Sequence, residues 1–259
     1  VRSELTENEI QRYSRHILLP EVGGTGQIRL RRASVLIIGA GGLGSPVAHY
    51  LAAAGVGRIG IVDDDRVELS NLQRQILHTT GRVGLPKVDS AREALAALNP
   101  EILIETHNTR FTQDNAADLV RAYDIICDGS DNFETRYLVN ATCVRERRTL
   151  ISAAVTRFDG QLSTFRPHIG GPCYECLFPR TDGVADAPSC GEAGIFGAVT
   201  GVLGTLQATE ALKEILDLGE TLAGRLLLWD ALATRFTTIS IARDPDCPTC
   251  GHQAREQMR

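Results

Sequence analysis

The chain has 259 residues, 43% apolar and 23% charged, with 27 Lys and Arg against 32 Asp and Glu for a formal charge of −5. That length supports a substantial hydrophobic core, and the composition excludes disordered, collagenous and coiled-coil classes. With no basic tail or Arg-rich stripe and only 5% aromatic residues, nucleic acid is not an expected partner. The first residues lack the apolar run of a signal peptide. The most apolar region, 34–62, is broken by glycines, His49 and Arg58, which reads as strand–helix–strand rather than a membrane span. Seven cysteines, an odd number, point to a reducing compartment and to metal ligation or reactive thiols rather than a disulfide framework. The expectation is a cytoplasmic α/β protein without a membrane partner.

Thr6-Glu7-Asn8-Glu9 has capping-box spacing and predicts a first helix running through Ile10, Ile17 and Leu18 until Pro20. Arg15 on that helix reads, from residue type alone, as a solvated charge. The informative unit follows. Ser34–Ile38 is a buried parallel strand by pattern, and Gly39-Ala40-Gly41-Gly42-Leu43-Gly44 comes directly after it. Ser45 is placed to cap the next helix with Pro46 in its first turn and Gly55 closing it; a second strand, 58–62, ends at Asp63. Gly39, Gly41 and Gly44 match the G-x-G-x-x-G spacing of dinucleotide folds. Asp63 stands where a carboxylate would take a ribose hydroxyl. Missing side chains allow a tight turn and bring phosphate against free N–H groups at a helix start. A packing loop in an unliganded domain is the rival reading, and the spacing alone does not choose NAD over ATP.

The segment 64–75 is too polar for a core strand. Pro86 starts another helix carrying Val88, Ala91, Leu95 and Leu98 inward, and Lys87 opens it against the helix dipole, which suggests that it answers an anion; an ordinary exposed lysine is the alternative. Strands follow at 102–104 and 123–127, with Asp114 as cap of a helix between them. Asp128 and Asp131 then fall, like Asp63, beyond strand ends where an open sheet binds ligand. Carboxylates facing phosphates need a cation between them, so Mg²⁺ is implied; a simple turn cap is the rival for one aspartate, less attractive where two unrelated loops both arrive. Asn132 begins a further helix.

Beyond this point 150–155, 161–165, 226–229 and 236–241 read as strands and 198–216 as a long helix rich in small residues. Cys173-x-x-Cys176 and Cys247-x-x-Cys250 offer four thiolates suited to a closed structural Zn²⁺ shell, with redox pairs or an iron–sulfur cluster as rivals. Cys190, in a polar stretch before the long helix, is either a reactive thiol or a buried bystander; Cys127 and Cys143 read as packing residues.

Taken together, RYSRHIL at 12–18, GAGGLGS at 39–45, DDDRVELSNLQRQ at 63–75, GLPK at 84–87, DGSDNFETR at 128–136, the paired CxxC and the CGEAGIFG segment closely resemble the ubiquitin-activating-enzyme-like adenylyltransferases of the ThiF/MoeB/HesA type, over about residues 5–251. The resemblance implies a Rossmann-like nucleotide-binding core with a continued mixed β-sheet and a zinc-bearing C-terminal lobe. Its divisions would be a helical region at 1–30 contributing to dimerisation, an ATP-binding region at 31–148 and a carrier-binding zinc lobe at 149–259. It implies ATP-dependent adenylylation of the Gly-Gly terminus of a ubiquitin-like sulfur carrier, serving molybdopterin or thiamine formation, with a separate sulfur donor such as a cysteine desulfurase or rhodanese. In that reading Gly39, Gly41, Gly42 and Gly44 cradle ATP and Asp63 binds the ribose. Asn71, Arg74 and Lys87 approach the phosphates, Asp131 holds magnesium with Asp65 as a secondary acid, and Cys190 matches a cysteine some relatives use for sulfur transfer. Arg15 would reach the site of the other subunit of a homodimer. An NAD-dependent oxidoreductase and a non-catalytic ATP-sensing scaffold are the competing classes.

Overall fold

The computed structural model describes residues 4–180 and 194–251. The β-branched run 34–38 forms strand β1 (Ser34–Ile38), buried along its whole length. Beside it lie β2 (Arg58–Val62) and β3 (Leu103–His107) on one side, and β4 (Ile125–Asp128) and β5 (Thr149–Thr156) on the other, all parallel. From β5 the sheet continues antiparallel through β6 (Asp159–Phe165), β7 (Arg225–Asp230) and β8 (Arg235–Ser240), giving one sheet of order β3-β2-β1-β4-β5-β6-β7-β8. This is the expected Rossmann-like core with a mixed continuation.

Alternation along β1 builds both layers. Val35 and Ile37 enter the cluster containing Val47, Leu51, Val199 and Leu203, from α4 (Gly44–Ala54) and from α9 (Gly197–Leu216), which comes after the short α8 (Tyr174–Leu177) in the chain. Leu36 and Ile38 enter the opposite cluster with Ala116, Val120, Tyr137 and Val139, from α6 (Gln113–Arg121) and α7 (Phe133–Arg145). The helix α5 (Lys87–Leu98) packs beside α4, contributing Val88, Ala91 and Leu95 to the first cluster as its sequence pattern predicts, whereas Leu98, expected to point inward too, is exposed at the helix end.

Several local expectations change. The Thr6 capping box is present, but the first helix divides into α1 (Glu7–Arg12) and α2 (Ser14–Ile17). The division falls at Tyr13, whose buried ring receives a hydrogen bond on its hydroxyl from Asn99 at 2.8 Å. A third helix, α3 (Gly23–Arg32), precedes β1 despite its glycine-rich start. The α4 helix begins at Gly44, so Ser45 is inside it; its hydroxyl donates backward to the Gly41 carbonyl at 2.7 Å instead of capping. Gly55 closes α4 with φ +81° as expected. Asp114 is likewise inside α6, and Thr112 is the cap, its backbone N–H donating to Asn115 Oδ1 at 2.9 Å. The cap of α7 is Asn132, which accepts the Thr135 N–H at 2.9 Å. Among the described residues no helix is long and apolar enough to cross a membrane.

Candidate active site and thiol cluster

The chain leaves β1 toward β2 on one side, while β4 joins on the other. The order therefore reverses between β1 and β4, and a crevice opens beyond their carboxyl ends. A cavity of about 430 Å³ lies there, bringing together Gly39, Gly41, Gly42, Asp63, Asp65, Arg74, Lys87 and Asp131. These come from segments scattered over more than ninety residues, and they are residues that the glycine spacing, the strand-end positions and the family resemblance nominate between them. Gly44 works from below: a β-carbon there would stand 1.8 Å from the Gly39 carbonyl oxygen, so only glycine lets the α4 start close on the loop. Gly39 itself has φ +92°.

Asp63 is tied to that loop. Its carboxylate accepts the Ala40 N–H at 2.7 Å and the Asp65 N–H at 2.9 Å, and burial pushes its pKa up against the lowering effect of Lys87 and those two bonds. Lys87 is buried at the start of α5, with Nζ 2.7 Å from Asp65 Oδ2 and its own N–H donating to the Asp65 carbonyl at 2.9 Å. A carboxylate therefore already meets part of its charge, and the rest faces the cavity. Asn71 is buried beside the crevice without lining it; its Oδ1 accepts the Glu68 N–H at 3.2 Å, and its carbonyl accepts from Arg74 and Gln75, forming the turn that carries both.

Asp128, the last residue of β4, and Asp131 beyond it have different surroundings. Asp128 is fully buried and satisfied internally, accepting from Ser130 N–H and Ser152 Oγ at 3.0 Å each, with Arg136 3.9 Å away. The ligand-facing role expected for it is therefore corrected to a structural one, because its oxygens point into the loop. Asp131 is exposed on the cavity wall. The loop between them is clamped from two directions. Arg136 donates to the Ala153 carbonyl at 2.9 Å and to the Ser130 carbonyl, and Gln207 of α9 donates to the Asp128 and Ile151 carbonyls at 2.9 and 2.8 Å.

Gln75, Arg110, Arg136 and Thr200 also line the cavity, and sequence reasoning did not nominate them. Arg136 stands within the DGSDNFETR motif, which was a usable signal; Arg110 and Thr200 have none. Arg15 is exposed on α2 and does not line this cavity. Cys190 lies outside the described residues. Cys127 and Cys143 are fully buried, with burial holding both thiols far above the ordinary cysteine range, as packing residues should be.

Away from the cavity, Cys173, Cys176, Cys247 and Cys250 bring their four sulfurs within 4.8 Å of one another. Individual separations are 3.7 Å for Cys173–Cys247, 3.9 Å for Cys173–Cys176 and 3.5 Å for Cys176–Cys250. A zinc–sulfur bond of about 2.3 Å gives tetrahedral edges of about 3.8 Å, so the four thiols fit that ion and are too far apart for disulfides. Asn140 of α7 points its Nδ2 at Cys173 Sγ, 3.6 Å away, coupling the cluster to the core.

The ThiF family matches residues 13–249. A sulfur carrier protein adenylyltransferase of Thermus thermophilus is 50% identical over 97% of this chain and 94% of its own length. The adenylyltransferase and sulfurtransferase MOCS3 of Bos taurus is 51% identical over 97% of this chain, which spans 55% of that longer protein. Among solved structures, E. coli MccB with ATP superposes with a TM-score of 0.78 at 26% identity, covering 97% of this chain and 76% of MccB. With the fingerprint, the crevice and nearly the whole length matched, the chain belongs to the ThiF family and is an adenylyltransferase.

Proposed function

We propose that this chain uses ATP to adenylylate the C-terminal Gly-Gly carboxylate of a ubiquitin-like sulfur carrier. The observation that carries this reading is the convergence of Arg74, Lys87 and Asp131 on the glycine loop and Asp63 in one crevice. A simple dinucleotide site needs the last two and has no use for the first three. In the reaction, an oxygen of the carrier carboxylate attacks the α-phosphorus of ATP. The α–β bridging P–O bond breaks, its electron pair leaving with pyrophosphate, and a mixed acyl-phosphate anhydride with AMP remains. A carboxylate is already a nucleophile at neutral pH, so the protein's work is to position the reactants and neutralise charge.

Asp63 binds the ribose, the glycine loop presents N–H groups to phosphate, and Lys87 and Arg74 draw charge from the phosphate chain, one as a compact ammonium and one as a planar fork. Asp131 and the neighbouring carboxylates of Asp63, Asp64 and Asp65, which come within 4.8 Å of one another, are hard oxygen donors that fit Mg²⁺. Bound there, magnesium supplies further charge neutralisation on the phosphates. The four thiols would hold a zinc ion, which would serve to tie the chain together rather than take part in the reaction. The terminal sulfur of a separate donor's persulfide then attacks the acyl carbon, the C–O bond breaking with its electron pair leaving on AMP, and a thiol reductant cleaves the resulting acyl disulfide to release the thiocarboxylate. The molybdopterin pathway is the favoured destination on the MOCS3 likeness, with the thiamine carrier as its alternative.

Exchange of labelled pyrophosphate into ATP, assayed with and without carriers ending in Gly-Gly, tests the reading. Carrier-dependent exchange is expected, with loss of most magnesium-dependent turnover in Asp131→Ala. Nicotinamide reduction without exchange would overturn it in favour of an oxidoreductase, and carrier binding with ATP but no exchange would favour a scaffold.

A further inference from the structure

Beneath the glycine loop sits a histidine that the proposed reaction does not yet use. His78 is buried, with Nε2 2.9 Å from the Ala40 carbonyl oxygen and Nδ1 2.9 Å from Ser90 Oγ. A carbonyl only accepts, so Nε2 must carry the proton; Nδ1 is then the acceptor and the Ser90 hydroxyl its donor. The same Ala40 residue donates its N–H to Asp63 Oδ2 at 2.7 Å. Ala40 is thus gripped on both faces, by the ribose carboxylate and by an imidazole from a loop thirty-eight residues away.

We propose that His78 is a positioning residue for nucleotide binding, locking the Ala40–Gly41 peptide so that the Gly41 N–H is presented to a phosphate. This rests on the nucleotide reading above. The argument is geometric. A trans peptide points its C=O and the following N–H in opposite directions. Anchoring the Ala40 carbonyl to an interior imidazole therefore turns the Gly41 N–H away from the interior, and Gly41 is a wall of the cavity. Among the described residues that N–H makes no backbone hydrogen bond. The rotor that would otherwise let this peptide flip is free at a Gly, where no β-carbon restricts it.

The charge environment keeps the lock in one state. Burial pulls the His78 pKa down, the Ala40 bond opposes it, and the neighbouring Lys87, Arg82 and His49 add to the lowering. Lys87 opens α5, Arg82 precedes it and donates to the Ser90 carbonyl at 2.9 Å, and His49 belongs to α4. A second proton on the ring would face the Lys87 and Arg82 charges and would take the Ser90 hydroxyl's acceptor away. The imidazole is accordingly a neutral, single-tautomer donor at physiological pH.

The test compares His78→Leu, which deletes the donor, with His78→Gln, whose side-chain amide restores one. ATP affinity is measured by titration calorimetry with Mg²⁺ present, and pyrophosphate exchange gives kcat and the KM for carrier. The Leu variant should bind ATP about tenfold more weakly, with kcat within about threefold and carrier KM unchanged; Gln should recover to within about threefold of wild type. A merely structural role would lower the thermal midpoint and kcat together, equally in both variants, and that result overturns the inference. So does a Leu variant that binds ATP as wild type does. Histidine-selective ¹⁵N NMR on the wild-type chain decides the tautomer even if the Leu variant fails to fold: His78 should show a neutral ring protonated at Nε2 at physiological pH and above, and protonation at Nδ1 would refute the lock. Failure of the wild-type chain itself to bind ATP would sink the nucleotide reading instead, leaving the tautomer result to speak for the histidine geometry.

Discussion

The ion pair between Lys87 and Asp65 separates a structural lysine from a catalytic one. The Lys87 side chain is 7% exposed, whereas its partner is 68% exposed. Removing the ammonium leaves Asp65 in water, where an unpaired carboxylate costs little, and Lys87→Met keeps most of the packed stem. The stability change should therefore stay within about 1 kcal/mol, a fall in thermal midpoint of about 2–4 °C for a chain of this size. Chemistry is another matter. An ammonium fixed at the cavity wall loses nothing to reorganisation when charge develops on the phosphates, and deletion of one such group costs about 10²–10³ in rate, or about 3–4 kcal/mol. Steady-state pyrophosphate exchange at saturating carrier should show that loss. Lys87→Arg should recover little, because the guanidinium is wider than the slot and forks differently. The double variant Asp65→Asn with Lys87→Met checks the remaining explanation, that the damage comes from an unpaired Asp65; it should be no better than Lys87→Met alone. Exchange within threefold of wild type in Lys87→Met would refute the phosphate role.

Gly44→Ala should destabilise urea unfolding by about 2–4 kcal/mol, since its β-carbon would collide with the Gly39 carbonyl, while Gly41→Ala, whose nearest neighbour is a side-chain nitrogen at 3.8 Å, should fold within about 0.5 kcal/mol of wild type and lose ATP affinity instead. Asp63 has a folded pKa raised above its ordinary value of 3.8, chiefly by burial, so its contribution to stability is fully present below that value and is lost as pH rises through the raised one. The stability difference between wild type and Asp63→Asn should accordingly fall over that window and then level off; a difference that rises with pH would contradict the desolvation argument. Metal analysis after denaturation should recover about one zinc per chain. Cys173→Ser should lower both metal content and the thermal midpoint, by about 4–8 °C if about 2 kcal/mol is lost; stoichiometric iron would refute the assignment.

What could be read in advance was local. The strand–glycine–helix unit, Asp63, Lys87 and the paired CxxC all declare themselves within a few residues, because tight turns, ribose contacts and metal pairs depend on near neighbours in sequence. The missed pieces depend on distant ones. The helix α3 forms in spite of Gly23, Gly24 and Gly26 because the bare Gly26 lets it approach α9: a β-carbon there would meet Val22 and Leu216 at 3.0 and 3.2 Å. Asp128 looked like a second ligand carboxylate until Ser152 and Gln207, twenty-four and seventy-nine residues away, were seen to hold its loop. Arg15 is a different case: its residue type reads as a solvated charge, and only the family resemblance gives it a partner, in a second copy of the chain. It is exposed on α2 and is not part of the cavity wall of its own subunit. If it completes the opposite site of a two-fold dimer, the two sites are composite, and damage can be distributed between them. Mixing Arg15→Ala chains with Lys87→Ala chains should then restore activity in heterodimers, because one site collects both lesions and the other has neither. If Arg15 acts within its own subunit, each site keeps one lesion and mixing restores nothing. Subunit exchange is verified by native mass spectrometry before rates are compared, and confirmed heterodimers no more active than either parent would exclude the contact across the interface.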